Sequence, residues 1–176
     1  TSVSVYTGTR GALGQIGCGG PQLGFSAAGG VTYYIMIGSL FGGPYPGPGG
    51  GTGGDLVVSI AAIPAPANDD FADAIVISGL PFTDSNRDTR AATTAADDPT
   101  PTCAPTAREA TVWYAFTAAQ AQGIEVNTFG TPYATSLSVY TGARGALTEI
   151  ACGAFQAIFA ATHPTTYYLI ISSFPS

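Results

Sequence analysis

TSLSVYTGARGALTEIACG, residues 135–153, carries the alternation that decides the fold. Leu137 and Val139 alternate with Ser136 and Ser138, the period-two pattern of a strand with one buried and one wet face. The stretch has already occurred once, as TSVSVYTGTRGALGQIGCG at residues 1–19, and VTYYIMIGS (31–39) returns as TTYYLIISS (165–173). Residues 1–40 and 135–174 align without a gap at an offset of 134, with 22 of 40 positions identical. That period exceeds the roughly 20–50 residues of a solenoid unit and matches a domain of roughly 100–150 residues. The pattern predicts tandem modules rather than stacked turns.

The repeat also sets the expected organisation. Residues 1–63 read as the second half of one β-sandwich module, 64–67 as a Pro/Ala linker, and 68–176 as a second module without its last strand. Each part offers what the other needs, so neighbouring copies are expected to complete one another by strand addition. Seven short runs rich in Val, Ile, Tyr, Phe and Thr recur between Gly, Pro, Asp and Asn clusters: 2–6, 31–37, 56–63, 111–116, 124–128, 136–140 and 166–172. They predict an all-β fold, an antiparallel sandwich of jelly-roll type. In TVWYAF, Val112, Tyr114 and Phe116 share one face and Trp113 takes the other, where it reads as a core filler. NDDFADAI predicts one helical turn, capped by Asn68 or Asp69, with Phe71, Ala74 and Ile75 inward. FGGPYPGPGGGTGG (41–54) predicts a polyproline-like excursion, and residues 84–110 a long polar connection.

Only 9% of residues are charged, all five basic residues are arginine, and the net charge is −6. A nucleic-acid partner or an anionic membrane surface asks for clustered Lys/Arg, so neither is expected. The absence of a long apolar run argues against membrane insertion. Polarity comes instead from hydroxyls, 22 of them threonine, a composition that fits an extracellular or cell-surface protein. In the Pro-rich stretch 89–106, Thr89, Thr93, Thr94, Thr100, Thr102 and Thr106 are candidates for O-linked sugar. Cys103 and Cys152 fall within one module and are expected to form a disulfide. Cys18, the repeat equivalent of Cys152, is then left unpaired or joined to another copy.

ANDDFADAIVISGLPFTDSN, TVWYAFTA, TSLSVYTGARGALTEIACG and TTYYLIISS, with GGDLVVSIAAIP in the earlier copy, follow the order seen in bacterial prepeptidase C-terminal-like modules. The chain resembles that family over nearly its whole length. The resemblance implies a jelly-roll-like sandwich, often in tandem in large secreted proteins and at the tails of secreted peptidases. It departs where many relatives place an Asn/Asp-rich turn after the cysteine, since Gly-Gly-Pro and Gly-Ala-Phe stand there instead.

Catalysis is not expected. The single histidine, His163, is replaced by glycine in the earlier copy, and a Ser–His or Cys–His arrangement needs that base. Asp84, Asp88, Asp97 and Asp98 lack the spacing of a fixed cation site, so no metal and no cofactor are expected. The function expected is a structural module of a secreted repeat protein, assembling head to tail into a fibre or stalk. The alternative is a carbohydrate- or protein-binding accessory module of a secreted hydrolase, with Tyr45, Tyr133 and Phe155 as stacking residues.

Overall fold

The computed structural model describes residues 1–38, 55–104 and 109–174. The chain divides into two compact units, Thr1–Ala62 and Ile63–Ser176. It is all-β, with one short 3-10 turn at Phe71–Asp73 and no α-helix among the described residues.

Unit 1 has three strands, β1 (Ser2–Thr9), β2 (Ala12–Gly19) and β3 (Tyr34–Gly38), in the order β2-β1-β3. Unit 2 contains β4 (Ile75–Ile77), β5 (Glu109–Thr117), β6 (Gln122–Asn127), β7 (Thr135–Ala143), β8 (Ala146–Gly153), β9 (Gln156–Ala161) and β10 (Thr166–Ser173). Its larger sheet runs β4-β5-β10-β7-β8 and its smaller one is β6-β9. All pairs are antiparallel except β4 with β5.

The core of unit 2 lies between these sheets. Val112, Tyr114, Phe116, Leu137, Val139, Tyr167 and Leu169 of the larger sheet pack against Ile124, Ala157, Phe159 and Ala161 of the smaller one. The outer face of the larger sheet is also covered. Trp113, Tyr140 and Ile170 form a second buried cluster there, with Phe71 edge-on to Trp113 at 5.0 Å.

That cover corrects the expected wet face of β7, because Ser136 and Ser138 are buried. Residues 97–104 of the connection 84–110, read as a polar loop, lie over this face: Pro101 and Ala104 are buried, and Cys103 bonds to Cys152 of β8. Ser136 answers its burial by hydrogen-bonding Ser172 across the pair at 2.8 Å. The cap expectation also fails. Asp70 occupies the N-cap position and makes no side-chain cap bond. Asn68 instead uses its amide as a strand would, with Nδ2 donating to the Trp113 carbonyl and the Trp113 N–H returning to the Asn68 carbonyl, each at 2.9 Å.

The two copies match in register, residue for residue. Tyr6 faces Gln15 as Tyr140 faces Glu149, and a bulge interrupts both hairpins just before these pairs. Gly8 and Gly142 stand at φ of 110° and 108°, and at each a Cβ would press on a carbonyl of the returning strand, so both turns require glycine. The pairing of β3 on β1 likewise repeats that of β10 on β7, with Ile35 against Val5 and Leu169 against Val139. Phe25 meets Tyr33 at 5.1 Å, and Phe159 meets Tyr167 at 4.9 Å.

The copies differ in what covers them. Among the described residues of unit 1 no strand stands where β4, β5 and β6 stand in unit 2, and Ile35 is 38% exposed where Leu169 is 4%, Met36 56% where Ile170 is 1%. Residues 22–27 form no strand although their equivalents 156–161 are β9, because β9 exists by pairing with β6. Residues 56–63, read as a strand, form none either. Leu56, Val57, Val58 and Ile60 stand 64, 93, 50 and 75% exposed, and the segment pairs with no strand among the described residues.

Leu169→Ala should cost about 2–5 kcal/mol, the cavity cost at a filled core position. Ile35→Ala, at the same register position, should cost under about 1 kcal/mol, as for an exposed site. Urea titrations followed by Trp113 fluorescence for unit 2 and by circular dichroism for the whole chain measure both, and equal losses would contradict the difference in cover.

Candidate functional site

A concavity of unit 2 follows from the mismatch between its sheets. Five strands face two, and the smaller sheet leaves part of the larger one's inner face uncovered. A groove of about 640 Å³ opens there, running along β6 from Ile124 to Asn127 and bounded opposite by residues 80–87. Its floor is the core itself: Val112, Tyr114 and Phe116 from β5, Leu169 from β10 and Phe159 from β9. The side of β6 away from β9 pairs with no strand among the described residues.

One polar chain interrupts the apolar floor. The Tyr114 hydroxyl donates to Asp84 Oδ2 at 2.9 Å, and Arg87 donates to the same oxygen from Nη2 at 2.7 Å and from Nε at 3.0 Å. Burial pushes the Tyr114 phenol up to about 12, and its bond to Asp84 acts in the same direction. The outer rim carries Phe129, 67% exposed, and Tyr133, 39% exposed, whose hydroxyl lies 2.8 Å from Thr89 Oγ1.

The residues singled out in the sequence disperse rather than gather. Tyr133 lines the groove, Phe155 does not, and Tyr45 lies outside the described residues. Phe129 was missed because it stands alone in a turn, outside any run of alternation. Among the threonines, Thr93, Thr94, Thr100 and Thr102 are exposed. Thr93 binds Asp69 through both N–H and hydroxyl at 2.6 and 2.8 Å, Thr102 donates from both to Glu149, and Thr106 lies outside the described residues.

The four aspartates are engaged by three different arginines. Asp84 takes Arg87 and Asp88 takes Arg90, which holds the Asp88 carboxyl down at about 2. Asp97 and Asp98 both receive Arg144, and its guanidinium keeps Asp97 below the usual carboxylate range. No group of three or more metal-ligating side chains forms among the described residues. His163 places Nδ1 3.0 Å from the Ala118 carbonyl.

Arg144 has a second task. Its guanidinium lies 5.3 Å from the Phe71 ring centre and 5.8 Å from that of Trp113, so it covers the outer-face cluster while holding the acidic connection. Together with Glu149 on Thr102 and the Cys103–Cys152 bond, it fastens residues 97–103 at three points. The equivalents in unit 1 are Arg10, Gln15 and Cys18, and Cys18 is exposed and unpaired.

No protein-family model matches the chain, and no curated protein or solved structure matches it either. Among the described residues, no helix is long and apolar enough to cross a membrane.

Two outcomes follow from this geometry. Replacing Cys103 and Cys152 by serine should lower the stability of unit 2 by about 2–5 kcal/mol, the usual loss for a native disulfide, measured by urea titration against the oxidised chain. The raised Tyr114 phenol favours folding while it is protonated in both states. That contribution is complete below the ordinary tyrosine value of about 10 and is lost as pH climbs through about 12. Tyr114→Phe should therefore flatten the alkaline limb of the stability curve, and an unchanged limb would contradict the assignment.

Proposed function

We propose that the chain is a non-catalytic structural module of a secreted tandem-repeat protein, joined head to tail with its neighbours in an extracellular fibre or surface stalk. One observation carries this reading. Two copies of the same hairpin and third strand fold in the same register, yet unit 2 buries positions 169 and 170 while unit 1 leaves Ile35 and Met36 exposed. A sheet with an apolar face and a free edge is a template for another strand or layer. Contacts between unlike surfaces need not close into a ring, so they extend into filaments.

Other features point the same way. His163 Nδ1 lies 3.0 Å from the Ala118 carbonyl, and Asp84, Asp88, Asp97 and Asp98 are each bonded to an arginine, which supports the non-catalytic reading. The Cys103–Cys152 disulfide fits an oxidising compartment. The order of motifs shared with prepeptidase C-terminal-like modules supports a tandem, secreted setting.

The binding-module reading keeps one supporting observation, the groove with Phe129 and Tyr133 on its rim. A polysaccharide stacked on those rings would make this unit an accessory domain.

Negative-stain electron microscopy of the chain at micromolar concentration distinguishes the two. The structural reading expects filaments with an axial repeat of one or two sandwich lengths. Monodisperse particles that are retarded on polysaccharide affinity gels would favour the binding module instead.

The secreted reading adds an expectation for the native material. O-linked sugar should sit first on Thr94 and Thr100, whose side chains face solvent, rather than on Thr93 and Thr102, whose hydroxyls bind carboxylates. Peptide mapping of native protein checks this, and an intact mass of 17.7 kDa would exclude it.

A further inference from the structure

Unit 1 holds a strand-forming segment that pairs with no strand among the described residues, and unit 2 holds an unpaired strand edge beside an apolar floor. Residues 56–63, LVVSIAAI, are β-branched and apolar, carry neither charge nor proline, and lie exposed outside any sheet. The groove beside β6 exposes a backbone edge above an apolar floor. We propose that this groove is the acceptor site for residues 56–63 of a second copy, inserted as an additional strand on the open side of β6. The proposal rests on the assembly reading and specifies its joint.

Length and pattern fit the site. Eight extended residues span ~26 Å at about 3.3 Å each, longer than six-residue β6. In a strand, Leu56, Val58, Ile60 and Ala62 share one face, with three large apolar side chains in an unbroken row. Turned inward, that row meets Val112, Tyr114, Ile124 and Leu169, while Val57, Ser59, Ala61 and Ile63 turn out. The inward row thus completes the alternation that β6 begins with buried Ile124 and half-buried Val126. The backbone supplies the affinity and the alternating pockets the register, as in strand addition generally.

The donor is assigned to a second copy because of where unit 2 begins. Asn68 is buried beside the edge of β5, where it pairs with the Trp113 backbone, whereas the groove runs along β6 of the other sheet. Four residues, 64–67, separate the segment from Asn68 and reach at most ~18 Å across five Cα–Cα steps. That short tether ties the segment to the edge of β5, while the open side of β6 belongs to the other sheet. A segment from another molecule carries no such tether.

The chain contains no lysine, and Asp55 next to the segment and Glu125 in the groove allow carboxylate-directed cross-linking with a dihydrazide. An equimolar mixture of ¹⁴N- and ¹⁵N-labelled full-length chain, allowed to assemble and then cross-linked, should give mixed-isotope Asp55–Glu125 peptides. The double substitution Val58→Asp with Ile60→Asp should abolish both the link and the sedimenting fraction, while unchanged Trp113 fluorescence reports an intact unit 2. Links of one isotope only would mean that the segment inserts into its own chain and would overturn the proposal. Filaments that lack the link, or that survive the double substitution, overturn the insertion but leave the assembly reading standing. A wild-type chain that stays monomeric without the link overturns both.

Discussion

A β-sheet with an apolar face is stable in water only when something lies on that face, and this protein contains the same sheet with and without its cover. In unit 2 the β8-β7-β10 sheet carries β5 on its free edge, β6 and β9 over its inner face, and the fastened connection 97–103 over its outer face. Unit 1 has the identical register and none of these additions among the described residues. The contrast separates what the hairpin does alone from what its surroundings supply. Bulge, glycine turn and Phe–Tyr contact persist in both copies, so they are local. Burial of positions 35 and 36 does not persist, so it is contextual.

The outer cover of unit 2 shows how a weakly charged chain uses its few charges. Arg144 faces two carboxylates and two aromatic rings at once, which places one guanidinium at the junction of hairpin, turn and connection. Asp98, with its side chain 1% exposed, also accepts the Ala95 N–H and the Thr111 hydroxyl, so its burial is matched by donors. An exposed ion pair contributes little to stability. This one is partly buried, and its two ends sit on elements far apart in sequence, so it fixes a loop that composition alone marks as free.

The sequence made the strands with strict alternation legible. Residues 111–116, 124–128, 136–140 and 166–172 all lie within or within one residue of strands, and the split of Trp113 from Val112 and Tyr114 matches the two buried clusters. Strands β2, β8 and β9 were not legible, because ALGQIGCG, ALTEIACG and QAIFAA are rich in Ala and Gly and take their form from their partners. The buried serines of β7 were misread for a related reason: what covers the outer face is the segment 97–104, which has no periodicity to announce it. The Cys103–Cys152 bond was legible from repeat equivalence. The groove was not, since it is a space left by strands that are absent beside β6, and a sequence records only the residues that are present.

Residues 56–63 bring these points together. Their propensity for a strand is strong and their structure in this chain contains none, so propensity without a partner edge is insufficient here. Hydrogen exchange on the same chain, dilute and assembled, tests the account most directly. Amides of residues 56–63 and of β6 should exchange freely in dilute solution and become protected together on assembly, with β10 slow in both. Protection of β6 without residues 56–63, or of neither in the assembled state, would contradict it.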